Sequence, residues 1–227
     1  MNSYADAFQW PTRDPAWIQK CLLMGLIGLL AFIPVIGTII VSCVFYGWTF
    51  AAIDNLRAGR SELPPPGFHY FGRGWRPFLV LLIYGVVLGI IVAALVVAGS
   101  LLLASGSTGP RVIGAILLYI GIAVGVVGGL GLVILHPPIL LRTYEGGVGP
   151  GLNVSALLAD VRPQLGHTVV IGLLAVVANL ISQIGSVLCG VGIVLTLAYG
   201  YAILGALVRL YELGPSVGPT PATRATA

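Results

Sequence analysis

"FIPVIGTII" (residues 32–40) interrupts an apolar stretch that starts at Trp17 and runs, apart from Lys20, to Asp54. As one helix, residues 17–53 would extend about 55 Å, against a hydrocarbon core of about 30 Å. The stretch must therefore cross a bilayer twice. Pro34 removes a helical hydrogen bond and Gly37 tolerates a turn, which predicts spans over about 17–33 and 37–56. A turn with no charge and no loop needs its backbone covered by protein when it lies at membrane depth. Thr38 and neighbouring helices are the expected cover, with the first and third hairpins tucked against a longer middle one.

Composition points the same way. Of 227 residues, 58% are hydrophobic and 8% charged, with a mean hydropathy of +1.03. Soluble domains carry about 25% charged residues, so this chain has too little polar surface to coat a water-soluble globule. It reads as a polytopic membrane protein. Its first 16 or so residues are mixed and hold Asp6, Arg13 and Asp14. They do not resemble a cleaved signal peptide, and the first span is expected to act as the anchor. Cys21, Cys43 and Cys189 lie in apolar stretches without paired spacing, so no disulfide, metal or cofactor is expected. A net charge of +4 scattered along the flanks gives no nucleic-acid footprint.

Charged residues separate three apolar blocks, about 17–53, 77–141 and 168–208. The second has an evident loop, "SGSTGPR" (105–111), and the third a turn at "SQIGSVLCG" (182–190). Six transmembrane helices follow. If each block doubles back, ten of the eleven basic residues share the side of the amino terminus and Arg111 alone faces the other. The positive-inside rule then places both termini in the cytoplasm, with the chain in the cell membrane. Lys20, one turn into the first span, would snorkel outward.

The blocks also resemble one another. Two exits read "RTYEGG" (142–147) and "RLYELG" (209–214), and the first, "NLRAGR" (55–60), keeps an arginine and a glycine. Short interfacial segments precede each entry: "YADAFQW", "GFHYFGRGW" and "VSALLADV". The expected architecture is all-α, a single transmembrane domain over 1–213 built of three parallel hairpins at about 8–58, 68–147 and 155–213. They are parallel units, unlike the inverted repeats of many carriers. The Pro- and Thr-rich tail, 214–227, is disordered by composition.

The stretches "FQWPTRDPAWIQKCLLMGLIGLL", "IPVIGTII" and "LRAGRSELPPPGF" resemble the prokaryotic membrane family known as domain of unknown function 4013. Phe8, Trp10, Pro11, Asp14, Pro15, Trp17, Pro34, Gly37, Arg57, Gly59, Leu63 and Pro64 carry the likeness, which is best over residues 8–71. Members tend to follow the Leu-Pro pair with acidic residues and tryptophan, whereas "PPPGFHYFGRGW" is basic and aromatic. The resemblance implies a membrane fold and no particular chemistry.

Candidate sites are few. No span carries an acid or a lysine at mid-membrane, which argues against ion-coupled transport and carboxylate chemistry in the bilayer. His136, in "LHPPILLR", has two readings: a cavity or gating residue beside a kink at Pro137 and Pro138, or a histidine bonded to a carbonyl that the kink frees. Asn179, Ser182 and Gln183 would cap backbone or line a small polar vestibule. His69 and His167 are expected at headgroup level. Arg57, Arg60, Arg73 and Arg76 form a candidate anionic-lipid contact, each arginine adding about 1 kcal/mol of attraction; the alternative is an aromatic belt with topology-setting charges. Gly121, Gly125 and Gly129 form a helix-packing ladder.

These features predict no enzyme. They favour a non-enzymatic scaffold or accessory subunit that interacts with lipids and with partner membrane proteins or further copies of itself. The alternative is a passive transporter or permease for an apolar or weakly polar solute.

Overall fold

Helices account for every regular element among the residues that the computed structural model describes, 3–187 and 191–215. Ser3 accepts from the Asp6 amide while the Asp6 carboxylate accepts from the Ser3 amide, a reciprocal cap that starts α1 (Tyr4–Gln9). A 3-10 turn, Trp10–Arg13, follows. The chain then bends by 92° into α2 (Trp17–Gly28), which tightens into a 3-10 turn at Leu29–Phe32. Next come α3 (Ile36–Arg57), α4 (Phe71–Leu103), α5 (Thr108–Ile134), α6 (His136–Gly146), α7 (Val148–Leu152), α8 (Val154–Val161), α9 (Leu165–Val187) and α10 (Val191–Leu213). The segments expected at the interface form α1 and α8, but the middle one is only a 3-10 turn, Phe68–Tyr70, that flows into α4.

Among the described residues five helices are long and apolar enough to cross a membrane, and a sixth span is reached if the bent pair Tyr4–Arg13 and Trp17–Phe32 counts as one. The shortfall lies in α2. Its 12 helical residues and four in the 3-10 turn reach roughly 26 Å, short of a full hydrocarbon core.

The turn at 33–37 differs from its expected form. Val35, not Gly37, takes the positive φ, at 62° with ψ −70°, and the Ile36 amide bonds the Pro34 carbonyl at 2.8 Å. This is the rarer, strained kind of γ-turn, and a β-branched residue there costs on the order of 1–3 kcal/mol. Gly37 serves close approach instead: a Cβ on it would run into the Leu30 carbonyl. Nor is the turn tucked away. Phe32, Val35 and Ile36 are all exposed, and local bonds such as Gly37 to Ile33 at 3.1 Å satisfy the backbone.

Packing also departs from expectation, because the core forms between the first and third blocks. α10 lies between α2 and α3: Gly25 meets the backbone of Val194, and Gly205 meets Ala52 and Thr49. Phe45, Trp48 and Ile53 on α3 are buried with Ala202, Ile203 and Leu207 on α10. Both partners present small residues where the backbones approach, and large ones fill the gaps.

The middle block is the peripheral one. α4 crosses α3 where Gly74 meets Cys43 and Gly47 meets Tyr70. Val80 packs with Ile139 and Leu157, and the Tyr84 hydroxyl donates to the Gly151 carbonyl at 3.0 Å. Gly172 of α9 holds the other side of the base against Ile134. Beyond this base α4 and α5 pair antiparallel, Gly99 with Gly114 and Gly121 with Leu95 and Val96. Only 6% of the apolar window of each is buried, against 61% for α3 and 56% for α10.

Three helices stop alike. Gly59, Gly147 and Gly214, at the ends of α3, α6 and α10, have φ of 71°, 82° and 79°. Glycine is the residue that reaches this region without strain. Residues 188–190 of the third turn, including Cys189, and tail residues 216–227 lie outside the described residues.

Candidate functional site

The break between α5 and α6 shapes the site. Pro137 and Pro138 have no amide to continue the α5 ladder, so a new helix starts at His136 and its ring is held inside the bundle. His136 meets Tyr46 of α3 edge-on at 5.8 Å between ring centroids, and Tyr46 meets Tyr201 of α10 edge-on at 5.6 Å. These rings, with Asn179, Ser182 and Gln183 of α9, line a chamber of about 150 Å³. His136, Asn179 and Gln183 thus meet in one place. Pro137 is buried beside it and sets the helix break without lining the chamber.

The Nε2 of His136 is buried and has no hydrogen-bond partner among the described residues. The bond to a freed carbonyl, one of its two expected roles, is not made through this nitrogen. A buried nitrogen left so costs about 1–3 kcal/mol. Ser182 spends its hydroxyl on the Ala178 carbonyl at 3.1 Å, and Asn179 is exposed at the chamber's open side. Sequence reasoning missed Tyr46 and Tyr201: a tyrosine in a span has no local signal that separates a chamber wall from core.

About 12 Å along the helices, eight residues past Tyr46 and His136, lies a cluster of charges. Arg57 bridges Glu145 at 3.1 Å and Glu212 at 2.7 Å, and its guanidinium lies 4.4 Å from the Tyr144 ring centroid. Arg73 pairs with Asp54 at 2.5 Å, and the Tyr144 hydroxyl donates to the same carboxylate. Arg209 holds Glu212 at 2.6 Å. The tyrosine and glutamate of one R-x-Y-E-x-G exit therefore meet the glutamate of the other through Arg57. The four arginines proposed for lipid divide accordingly: Arg57 and Arg73 are committed to carboxylates, while Arg60 and Arg76 are exposed on the surface.

A second knot ties the amino-terminal elbow. The Asp14 carboxylate, buried, accepts from the amides of Ala16 and Leu63, both at 2.8 Å, and from the Lys20 ammonium at 2.7 Å. Lys20 also donates to the Leu63 carbonyl at 2.8 Å, so it turns inward to this knot instead of reaching for the headgroups. Burial pushes the Asp14 carboxyl up, but the ammonium and the two amides outweigh it and hold it below the ordinary carboxylate value. Around it the Trp10 indole donates to the Arg60 carbonyl, the Trp48 indole to Pro64 and the Tyr199 hydroxyl to Phe8. Most of the residues that carry the sequence resemblance stand in or beside this knot, and their work here is structural.

The other sequence candidates distribute as follows. His167 is buried, within 3.1 Å of the Tyr4 hydroxyl and 3.3 Å of the Leu210 carbonyl, and is not at a surface. His69 packs on Tyr70. Gly121 and Gly125 face α4, but a Cβ on Gly129 would meet open space, and Gly128 takes its place against Leu88. At 100° per residue the eighth position from Gly121 is about 80° out of line, the seventh only about 20°. Cys21 and Cys43 are free and buried. Among the described residues no three His, Cys, Asp or Glu come together as metal ligands.

No curated protein and no solved structure matches this chain. A family model described as protein of unknown function (DUF4013) does, over residues 26–191, from within α2 to the start of α10. Asp14 and Lys20 of the elbow knot precede the matched segment, while their partner Leu63 lies inside it. The chamber takes its α3, α6 and α9 walls from the matched segment but Leu197 and Tyr201 of α10 from beyond it. With well over half its length matched, the chain belongs to the DUF4013 family of proteins of unknown function.

Proposed function

We propose that this protein is a non-enzymatic scaffold or accessory subunit of the cell membrane, with both termini cytoplasmic and three hairpins that each double back. The α4–α5 arm is its docking element for a partner membrane protein. One observation carries this reading: the apolar windows of α4 and α5 are 6% buried, in a molecule whose α3 and α10 are more than half buried. Lipid gives helices no hydrophobic reason to associate, so an arm held by its base and its glycine seam leaves long faces available to another protein. The doubling-back is supported by the glycine-terminated ends of α3, α6 and α10, of which the cluster around Arg57 ties all three. The basic residues gathered at the cytoplasmic flank support the orientation.

A photoreactive residue at Ile90 or Val127, both exposed on the arm, is expected to give one discrete protein adduct in native membranes. The same probe at Leu26 on α2, also exposed, should give lipid adducts only. An adduct of twice the chain's mass identifies a second copy as the partner. Lipid adducts alone at both arm positions would end the docking reading.

A second reading, passive permeation of a weakly polar solute, is favoured by the chamber that joins His136 to Asn179 and Gln183.

A further inference from the structure

Leu197 stands in the wall of two cavities. One is the 150 Å³ chamber beside Tyr46, His136 and Asn179. The other, about 280 Å³, lies where α2 ends and α3 and α10 begin, walled by Gly28, Phe32, Thr38, Ser42 and Leu197. It borders the α2–α3 turn, whereas the cluster around Arg57 lies at the opposite end of α3. The two cavities and the charge cluster thus follow one another along the bundle: an apolar vestibule, Leu197, a polar chamber, and ion pairs.

The chemistry of the chamber is specific. Among the described residues its walls hold no acid, lysine or arginine, so an ion entering it would lose hydration and meet no opposite charge there. An apolar occupant would leave the buried Nε2 of His136 unpaired. Tyrosine hydroxyls and side-chain amides each donate and accept, which suits an uncharged guest that does both. At about 30 Å³ per liquid water, the volume equals roughly five waters and admits only a few heavy atoms.

We propose that this chamber binds a small uncharged solute of simple-amide chemistry, which enters from the vestibule past Leu197. The binding site stands apart from the docking role, and only the entry route rests on the second reading.

Saturation-transfer NMR on the protein in nanodiscs, with acetamide as the probe, tests the site. Transfer to acetamide is expected, with none above empty nanodiscs for acetate, which is charged, or acetone, which only accepts. Asn179→Leu and His136→Phe should each weaken acetamide binding roughly fivefold, the factor one lost hydrogen bond is worth. Asn179 is exposed, so its replacement leaves packing intact. Absence of transfer, or transfer untouched by both variants, overturns the proposal and leaves a chamber that holds water only. Swelling of proteoliposomes in acetamide tests the route: Leu197→Ala should speed it and Leu197→Trp should stop it. Binding without swelling above protein-free vesicles keeps the site and removes both the route and the second reading.

Discussion

Gly74→Leu should leave almost no monodisperse protein after extraction from the membrane, and Gly74→Ala alone should cost about 3 kcal/mol, the upper end for overpacking. At the α3–α4 crossing a Cβ on Gly74 would land on the Cys43 carbonyl and lie 2.5 Å from the Gly47 amide nitrogen. On the partner helix of this crossing, a Cβ on Gly47 would run into the Tyr70 carbonyl oxygen. The obstacles are backbone, not the tips of flexible side chains, so α4 has to move off α3 as a body. That motion pulls Val80 from Ile139 and Leu157 and loosens the base of the arm. Gly89→Ala, further along α4, is the control, because nothing lies within 4 Å of its added methyl. It should gain roughly 0.5–1 kcal/mol from helix propensity. Thermal midpoints of the two alanine variants in one detergent decide the matter, and equal midpoints would remove the close crossing.

The second large effect is expected at Asp14. Asp14→Ala leaves the Lys20 ammonium, only 21% exposed, without its carboxylate and the Leu63 amide without its acceptor. Removing one member of a buried pair costs about 3–5 kcal/mol, and partial access of Lys20 to water puts this case near 3 kcal/mol. The elbow between α1 and α2 should open, which a fluorescence shift of the nearby Trp10 and Trp17 would report. The pH dependence follows from the direction of the Asp14 shift. A carboxyl held below its unfolded value stabilises the fold above that value, and the contribution is lost as pH falls through the folded one. The wild type should therefore lose stability below about pH 4, where carboxylates ordinarily titrate, and Asp14→Ala should lack that step. An unchanged acid limb in the variant would mean that other carboxylates govern it.

Apolar block lengths alone made legible the helices long and apolar enough to cross a membrane, since a chain with so few charges has little polar surface to show to water. The Pro34–Gly37 interruption correctly marked a turn, yet which residue bears the strain was not legible. Glycine's conformational freedom made Gly37 the natural choice, but Gly37 is set against the Leu30 carbonyl, and Val35 takes the positive φ. The order of packing was equally hidden. Periodicity cannot say that α10 slips between α2 and α3, because all three carry apolar and small residues on every side. His136, Asn179 and Gln183 were found by their rarity in apolar spans, whereas Tyr46 and Tyr201 only acquire meaning from the helices that face them. Charges near Arg57 were readable as a flank but not as pairs, since Glu145 and Glu212 are distant in sequence. The slip from Gly129 to Gly128 is plain geometry, a four-residue ladder drifting off a helix of 3.6 residues per turn.

The docking role rests on the middle block doubling back, so that the loop before Arg111 and the segment after Arg142 face opposite compartments. Gly109 and Gly149 have open space around them and accept a cysteine without strain. In a background with Cys21, Cys43 and Cys189 replaced by serine, a membrane-impermeant maleimide added to intact cells should label Gly109→Cys at once. Gly149→Cys should react only after the membrane is permeabilised. Labelling of both positions from the same face would contradict the account.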